Sequence, residues 1–212
     1  MLLSQVSSLP RSLSANLGRW LLRFGRDEKS PHAAAEITRD PLTCLLDRKH
    51  FIRAMKREWS RARRHQMACA VVLVDLDHFR RVNGCYGRRC GDAALRRIAK
   101  LCGEGLRQSD VLARFGGEEF ILFLPHTDPL GAVDVAERVR SRVAALDFNW
   151  RNHDVSLSVS VGVASMRLDH RDLDHLIHEA EEALATAKSA GRNCVRANAG
   201  LLPGRPSRAM ER

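Results

Sequence analysis

Apolar residues recur along this chain with three periods, and each period predicts a different element. Over residues 48–65, Phe51, Met55, Trp59 and Ala62 fall on one helical face. Residues 69–74, Cys-Ala-Val-Val-Leu-Val, are continuously apolar, as in a strand buried on both sides, and the run stops at Asp75-Leu76-Asp77. A helix is predicted over 91–106, with Leu95, Ile98, Cys102 and Leu106 inward. Short strands near 111–115 and 119–124 flank Gly116-Gly117, and two glycines there predict a hairpin whose turn uses positive φ. Ala132, Val135, Val139, Val143 and Leu146 mark a helix over 128–146. Residues 155–161 alternate, with Val155, Leu157, Val159 and Val161 on one side and Ser156, Ser158 and Ser160 on the other, which predicts a two-faced strand. A helix over 173–187 buries Leu173, Leu176, Ala180, Leu184 and Ala187, and a short strand over 193–196 joins the sheet. Strands and helices mix without a regular βαβ repeat, so the expected class is α+β, one sheet covered by helices.

The ends differ from this middle. Within residues 1–37, Leu9, Leu13, Leu17, Trp20, Leu21 and Phe24 recur at helical spacing, with Arg11, Arg19, Arg23 and Arg26 between them. Such a basic amphipathic segment packs on its own domain or a twin chain, or it meets a protein partner or a membrane surface through residues 9–26. Residues 197–212, with Pro203, Gly204, Pro206 and several arginines, read as a disordered basic tail. The expected domain is 38–196.

Composition narrows the partners. The chain has 212 residues, 44% of them hydrophobic, which suits one domain with short extensions. Its formal charge of +10 favours phosphate-bearing partners. Aromatic residues are only 5%, too few for the stacking platform of a single-strand binder, so no specific nucleic acid is expected. No apolar run approaches the roughly 20 residues that span a bilayer, and no signal peptide is recognisable. The expected location is the cytoplasm, with peripheral contact at the inner membrane face open through the N-terminal segment. None of the six cysteines forms a C-x-x-C pair, and all read as reduced thiols.

The chemistry gathers at two strand edges. Asp75 and Asp77 end the first strand, and Glu118 and Glu119 begin the hairpin's second. Strand alternation lets only one of each pair face a common site. A converging Asp75 and Glu118 would suit Mg²⁺, which takes one or two carboxylates plus substrate phosphates. Glycines beside acids also let a phosphate chain approach backbone N–H groups. By themselves, solvated carboxylates at strand ends and a plain tight turn explain these residues nearly as well.

Six ordered motifs over residues 38–196 lift that ambiguity. Arg114-Phe115-Gly116-Gly117-Glu118-Glu119-Phe120 resembles the signature of GGDEF-domain diguanylate cyclases in its GGEEF form. Asp40-Pro41-Leu42-Thr43-Cys44-Leu45-Leu46-Asp47-Arg48 is similar to the family's D-x-L-T-G-L-x-N-R. Asp75-Leu76-Asp77-His78-Phe79-Arg80-Arg81-Val82-Asn83 resembles D-I-D-x-F-K-x-x-N, and Gly91-Asp92 with Leu95 resembles G-D-x-x-L. Ser158–Ala164 and Ala187–Asn193 resemble the S-x-G-V/I-A strand and A-K-x-x-G-R-N.

The resemblance implies a palm-like nucleotidyl-cyclase domain with a central, mostly antiparallel sheet, flanking helices and an active-site hairpin. It implies an enzyme that condenses two GTP into cyclic di-GMP and two pyrophosphates across a homodimer interface. Asp75, the Leu76 carbonyl and Glu118 would hold Mg²⁺, with Mn²⁺ able to substitute. Glu118, Glu119 and Arg80 would serve catalysis, Arg80 standing where the family has lysine. Asn83 and Asp92 would read guanine, and Gly116, Gly117, Lys188 and Arg192 would bind GTP. Lys188 and Arg192, at i and i+4, share a helix face if the last helix continues that far. Arg107 and Asp110, an R-x-x-D in register before the glycines, with Arg138, would form the family's inhibitory cyclic di-GMP site. The alternative function is a catalytically weak cyclic di-GMP receptor signalling through the N-terminal segment. The chain departs from the pattern at Cys44 for glycine, Asp47 for asparagine, Gly84 for aspartate, Arg88 for histidine, and Glu181 and Ala185 for Asp and Tyr. Arg80 bears on the rate and Gly84 on the guanine loop.

Overall fold

The structure, a computed structural model, describes residues 38–198. The basic segment at 9–26 and tail residues 199–212 lie outside the described residues. In chain order the elements are α1 (Arg48–Arg64), β1 (Cys69–Leu76), α2 (Phe79–Tyr86), α3 (Arg88–Gly103), β2 (Val111–Arg114), β3 (Glu119–Pro125), α4 (Pro129–Ala144), β4 (Asn149–Trp150), β5 (His153–Asp154), β6 (Val159–Ser165), α5 (Leu173–Ser189) and β7 (Val195–Ala197).

Five strands form one sheet in the order β2-β3-β1-β6-β7, and β4-β5 form a separate small hairpin. Every pairing in the main sheet is antiparallel except β6 with β7. Central β1 is buried along its whole length, because both of its faces are covered. Ala70, Val72, Val74 and Leu76 face the layer containing Leu95 and Ile98 of α3 and Ala136 and Val139 of α4. Val71 and Leu73 face Phe51, Met55 and Trp59 of α1 and Leu176, Ala180 and Leu184 of α5. The class is α+β, as the pattern predicts.

Local chemistry sets the helix starts. Asp47, Asp128 and Asp172 each accept a backbone N–H from the first turn, of His50, Gly131 and His175, and Pro129 opens α4 with its φ already suited to a helix.

Several sequence expectations shift. The strand expected at 155–161 is β6 at 159–165, and it is not two-faced: Ser160 is as buried as Val159 and Val161. The cause is α5, which lies so close over β6 that a Cβ on Gly162 would sit 2.1 Å from the Ala180 carbonyl oxygen. The helix expected from 91 begins at Arg88, and an additional helix, α2, precedes it. Gly87, at φ 83°, breaks the two apart. The first two residues of the expected tail join the sheet: Ala197 belongs to β7, and the Asn198 N–H donates to the Val163 carbonyl at 3.0 Å.

Candidate active site

Asp75 is the last odd-numbered residue of β1, so it points to the same side as Val71 and Leu73, toward α5. Its carboxylate is 4% exposed and lies 2.9 Å from Lys188 Nζ, in the last turn of α5. In register, Asp75 stands opposite Glu119 on β3. Glu118 is in the loop just before β3, and its carbonyl accepts the Leu76 N–H at 3.2 Å. Alternation therefore does not separate the two glutamates, because only Glu119 lies in the strand. Both carboxyls are pushed above the ordinary carboxylate range, first by burial and then by the charge of Asp75. Asp75 is raised likewise by burial, against the pull of Lys188. Lys188 opposes the rise at both glutamates, and Arg80 opposes it at Glu118. Three acids and two cations thus share the open end of β1 and β3.

The hairpin loop is built differently from the expectation. Neither Gly116 nor Gly117 lies in the left-handed region. The Glu119 carboxylate folds over Gly116, with Oε2 2.4 Å from the position a Cβ there would take, so a side chain at 116 would push that carboxylate aside. Nothing lies within 4 Å of a Cβ on Gly117, so that backbone is open to a ligand. The Phe115 N–H donates to the Glu119 carbonyl at 2.8 Å and closes the loop.

A brace that sequence reasoning missed holds this loop. Arg114 donates to both carboxylate oxygens of Asp40, at 3.0 and 2.9 Å, and to the Gly117 carbonyl. Asp40 in turn accepts from the Thr43 backbone N–H and hydroxyl, at 2.7 and 2.6 Å. Each of these residues stood inside a recognised motif, but their pairing spans 74 positions, which no local period can reveal.

Asn83 and Asp92 come from α2 and the first turns of α3. A Cβ on Gly91 would lie 2.0 Å from Asn83 Oδ1, so the Asn83 amide rests on the helix beside Asp92. Gly84 does not sit in a guanine loop: it lies inside α2, exposed, with open space around it. Arg192 does not share a helix face with Lys188, because α5 ends at Ser189 and Arg192 follows in a left-handed turn at φ 67°. Its charge still lowers Asp75.

On the far side of β2, residues 107–110 form a turn in which the Asp110 carboxylate accepts the Arg107 backbone N–H at 2.7 Å. Burial raises the Asp110 carboxyl above its ordinary range. Arg138 Nη2 donates to the Gly105 carbonyl at 3.3 Å, while its Nε–H is buried without a partner.

Among the described residues no three acidic, histidine or cysteine side chains form a closed metal cage. The donors that do converge are carboxylate oxygens in acidic excess, which suits a hard cation completed by ligand oxygens.

The comparisons with known proteins give the family. The family model "Diguanylate cyclase, GGDEF domain" matches residues 37–194, and the chain belongs to that family. It is 38% identical over 176 residues to the diguanylate cyclase DosC of Escherichia coli, covering 82% of this chain and 37% of DosC. It is 34% identical over 173 residues to the diguanylate cyclase DgcP of Pseudomonas aeruginosa, covering 79% of this chain and 26% of DgcP. The chain therefore spans well under half the length of these relatives. In structure it resembles the GGDEF domain of DgcB from Caulobacter crescentus in complex with c-di-GMP, with TM-score 0.74 and 29% identity over 79% of this chain and 99% of that one. It also resembles the diguanylate cyclase SiaD in complex with its activator SiaC from Pseudomonas aeruginosa, with TM-score 0.71 and 34% identity over 84% of this chain and 68% of that one.

Proposed function

We propose that this chain is a diguanylate cyclase that condenses two GTP into cyclic di-GMP and two pyrophosphates, one GTP on each of two facing copies. The observation that carries the reading is the meeting of Asp75, Glu118, Glu119, Lys188 and Arg80 at the open end of β1 and β3. Each 3′-hydroxyl gives up its proton to solvent as its oxygen forms a bond to the α-phosphorus of the other GTP. The bond from that phosphorus to the bridging oxygen of pyrophosphate breaks, and pyrophosphate leaves with the electron pair. Asn83 and Asp92 present guanine with an amide and a carboxylate acceptor, which match its N1–H and N2–H₂. Lys188 and Arg192 donate charge-assisted hydrogen bonds to the triphosphate. Arg80, beside Glu118, offsets negative charge that grows in the transition state.

Asp75, Glu118 and the Leu76 carbonyl would hold Mg²⁺, and Mn²⁺ can substitute. Bound there, the ion supplies Lewis-acid polarisation of phosphate oxygens and offsets the acidic excess. Arg107, Asp110 and Arg138 form an inhibitory product site, a reading supported by the buried Arg138 Nε–H without a partner and by the charges of Arg107 and Arg138 that act on the Asp110 carboxyl. Residues 1–37 are an accessory segment, and 199–212 a basic tail. The N-terminal segment is the candidate contact for a protein partner or the inner membrane face.

The test is incubation of purified protein, stripped of bound nucleotide, with GTP and Mg²⁺. Cyclic di-GMP and pyrophosphate form in a 1:2 ratio, and Glu118→Gln abolishes both. If wild type forms neither, the chain is not a cyclase, and retained cyclic di-GMP binding would leave the receptor function.

A further inference from the structure

Asp77 has no role in the proposed chemistry, yet it is 5% exposed and fully engaged. Its Oδ1 accepts from the Ser160 hydroxyl at 2.6 Å. Its Oδ2 accepts from the Ser158 hydroxyl at 2.7 Å and from the Asn193 backbone N–H at 3.0 Å. Asn193 lies 116 positions away, at the end of the turn that follows α5. That turn is unusual: Gly191, Arg192 and Asn193 are consecutive left-handed residues, at φ 107°, 67° and 43°. Only the first is a glycine, so the other two carry the clash between Cβ and carbonyl that this region imposes. Such a backbone persists only where its surroundings over-determine it. Beside the Arg192 N–H, which donates to the Ala187 carbonyl at 3.1 Å, two contacts at Asn193 do so here. The Asp77 carboxylate takes the Asn193 N–H, and Arg140 of α4 donates to Asn193 Oδ1 at 3.0 Å. Arg192 sits between the glycine and the latched asparagine, close enough for its charge to oppose the burial-driven rise of the Asp75 carboxyl.

We infer that Asp77 is a positioning residue for the triphosphate: by holding the Asn193 N–H it fixes the left-handed turn that aims Arg192 at the GTP phosphates. The two acids of β1's end then divide the work. Asp75 faces the reacting groups, and Asp77 ties the cation-bearing turn to the same strand. This rests on the reading of Arg192 as a phosphate-binding residue.

Affinities for two probes test it, both with Mg²⁺ and nucleotide-stripped protein. One is 3′-deoxy-GTP, which lacks the attacking hydroxyl, and the other is guanosine, which lacks phosphate. Asp77→Ala should weaken 3′-deoxy-GTP by about tenfold or more while guanosine stays within about twofold, since only phosphate contacts are lost. Asp77→Asn should stay within about threefold of wild type for both probes, because the amide oxygen can still accept the Asn193 N–H. Should Asp77→Ala fail to melt cooperatively, the Ser158→Ala/Ser160→Ala double variant, which removes the hydroxyls that aim the carboxylate, should show the same selective loss. The inference is overturned if both probes weaken together, or if Arg192→Ala loses 3′-deoxy-GTP affinity while the Asp77 variants do not. If wild type does not bind 3′-deoxy-GTP, or Arg192→Ala binds it unchanged, the phosphate-binding reading fails and this inference with it.

Discussion

Cys44 carries a backbone that its side chain resists. It stands where the family has glycine, and its φ of 59° lies in the left-handed region. The turn is held by the Cys44 N–H donating to the Asp40 carbonyl at 2.8 Å, while Arg39 donates to the Cys44 carbonyl at 2.9 Å. Left-handed backbone costs a residue with a Cβ about 1–2 kcal/mol. Cys44→Gly should therefore stabilise the fold by about 0.5–1 kcal/mol, after allowing for glycine's greater unfolded entropy. A rise in the urea midpoint at unchanged slope would show it. Asp47, a second departure, suits its place: it caps α1, and Thr38 and His50 overcome its burial and lower its carboxyl to about 2. Glu118 is the opposite case. Burial and Asp75 raise its folded-state pKa, so its contribution is favourable below the unfolded value and lost as pH rises through the folded one. At pH 7 the ionised carboxylate therefore weighs against the fold. Glu118→Gln should raise Tm at pH 7 by roughly 1–2 °C, a screened effect of about 0.5 kcal/mol. The gain should vanish below about pH 4, where the unfolded carboxylate is itself protonated. Thermal melts at pH 7 and pH 3.5 would check both halves. Residue types and their motif positions were legible in the chain; the Asp40–Arg114–Gly117 brace and the Asp77 latch were not, because both close over long sequence separations.

At the scale of elements, close approach replaces the simple periods. Gly162 has no Cβ because α5 occupies the space, with Leu184 N at 2.4 Å from the position a Cβ would take. Helix backbone cannot step aside as a flexible side chain would. Gly162→Ala should cost about 2–3 kcal/mol through overpacking, measured by urea unfolding. That packing also explains why alternation misplaced β6: covering its second face with a helix buries serines along with valines. Helix α2 escaped detection because eight residues carry little periodic signal, with Val82 its one buried residue. Arg138 of α4 meets the chain just before the turn at 107–110, at the Gly105 carbonyl. If this is the product site, Arg107→Ala should raise accumulated cyclic di-GMP severalfold and lower the affinity for added product, since a forked guanine contact contributes about 1–3 kcal/mol. Equal product inhibition of wild type and variant would remove the site from consideration.

The described residues present their acids and cations at the open end of β1 and β3, which would be half of the site that the proposed condensation of two GTP requires. One domain that holds one GTP cannot deliver both the hydroxyl and the α-phosphate. Product formation should therefore scale with about the square of protein concentration when copies are dilute, and become linear once paired copies dominate. Initial rates over a hundredfold dilution series would separate this from a monomeric reaction. The α+β class, the family and most of the elements, though not α2 or the β4-β5 hairpin, were readable from the chain alone, because burial periods and motif residues are local properties. Which acids meet, and where the turn that carries Arg192 is fastened, were decided by tertiary structure. Those features depend on distances between segments far apart in the chain, and only the packing of α5 on β6 and of β3 on β1 sets them.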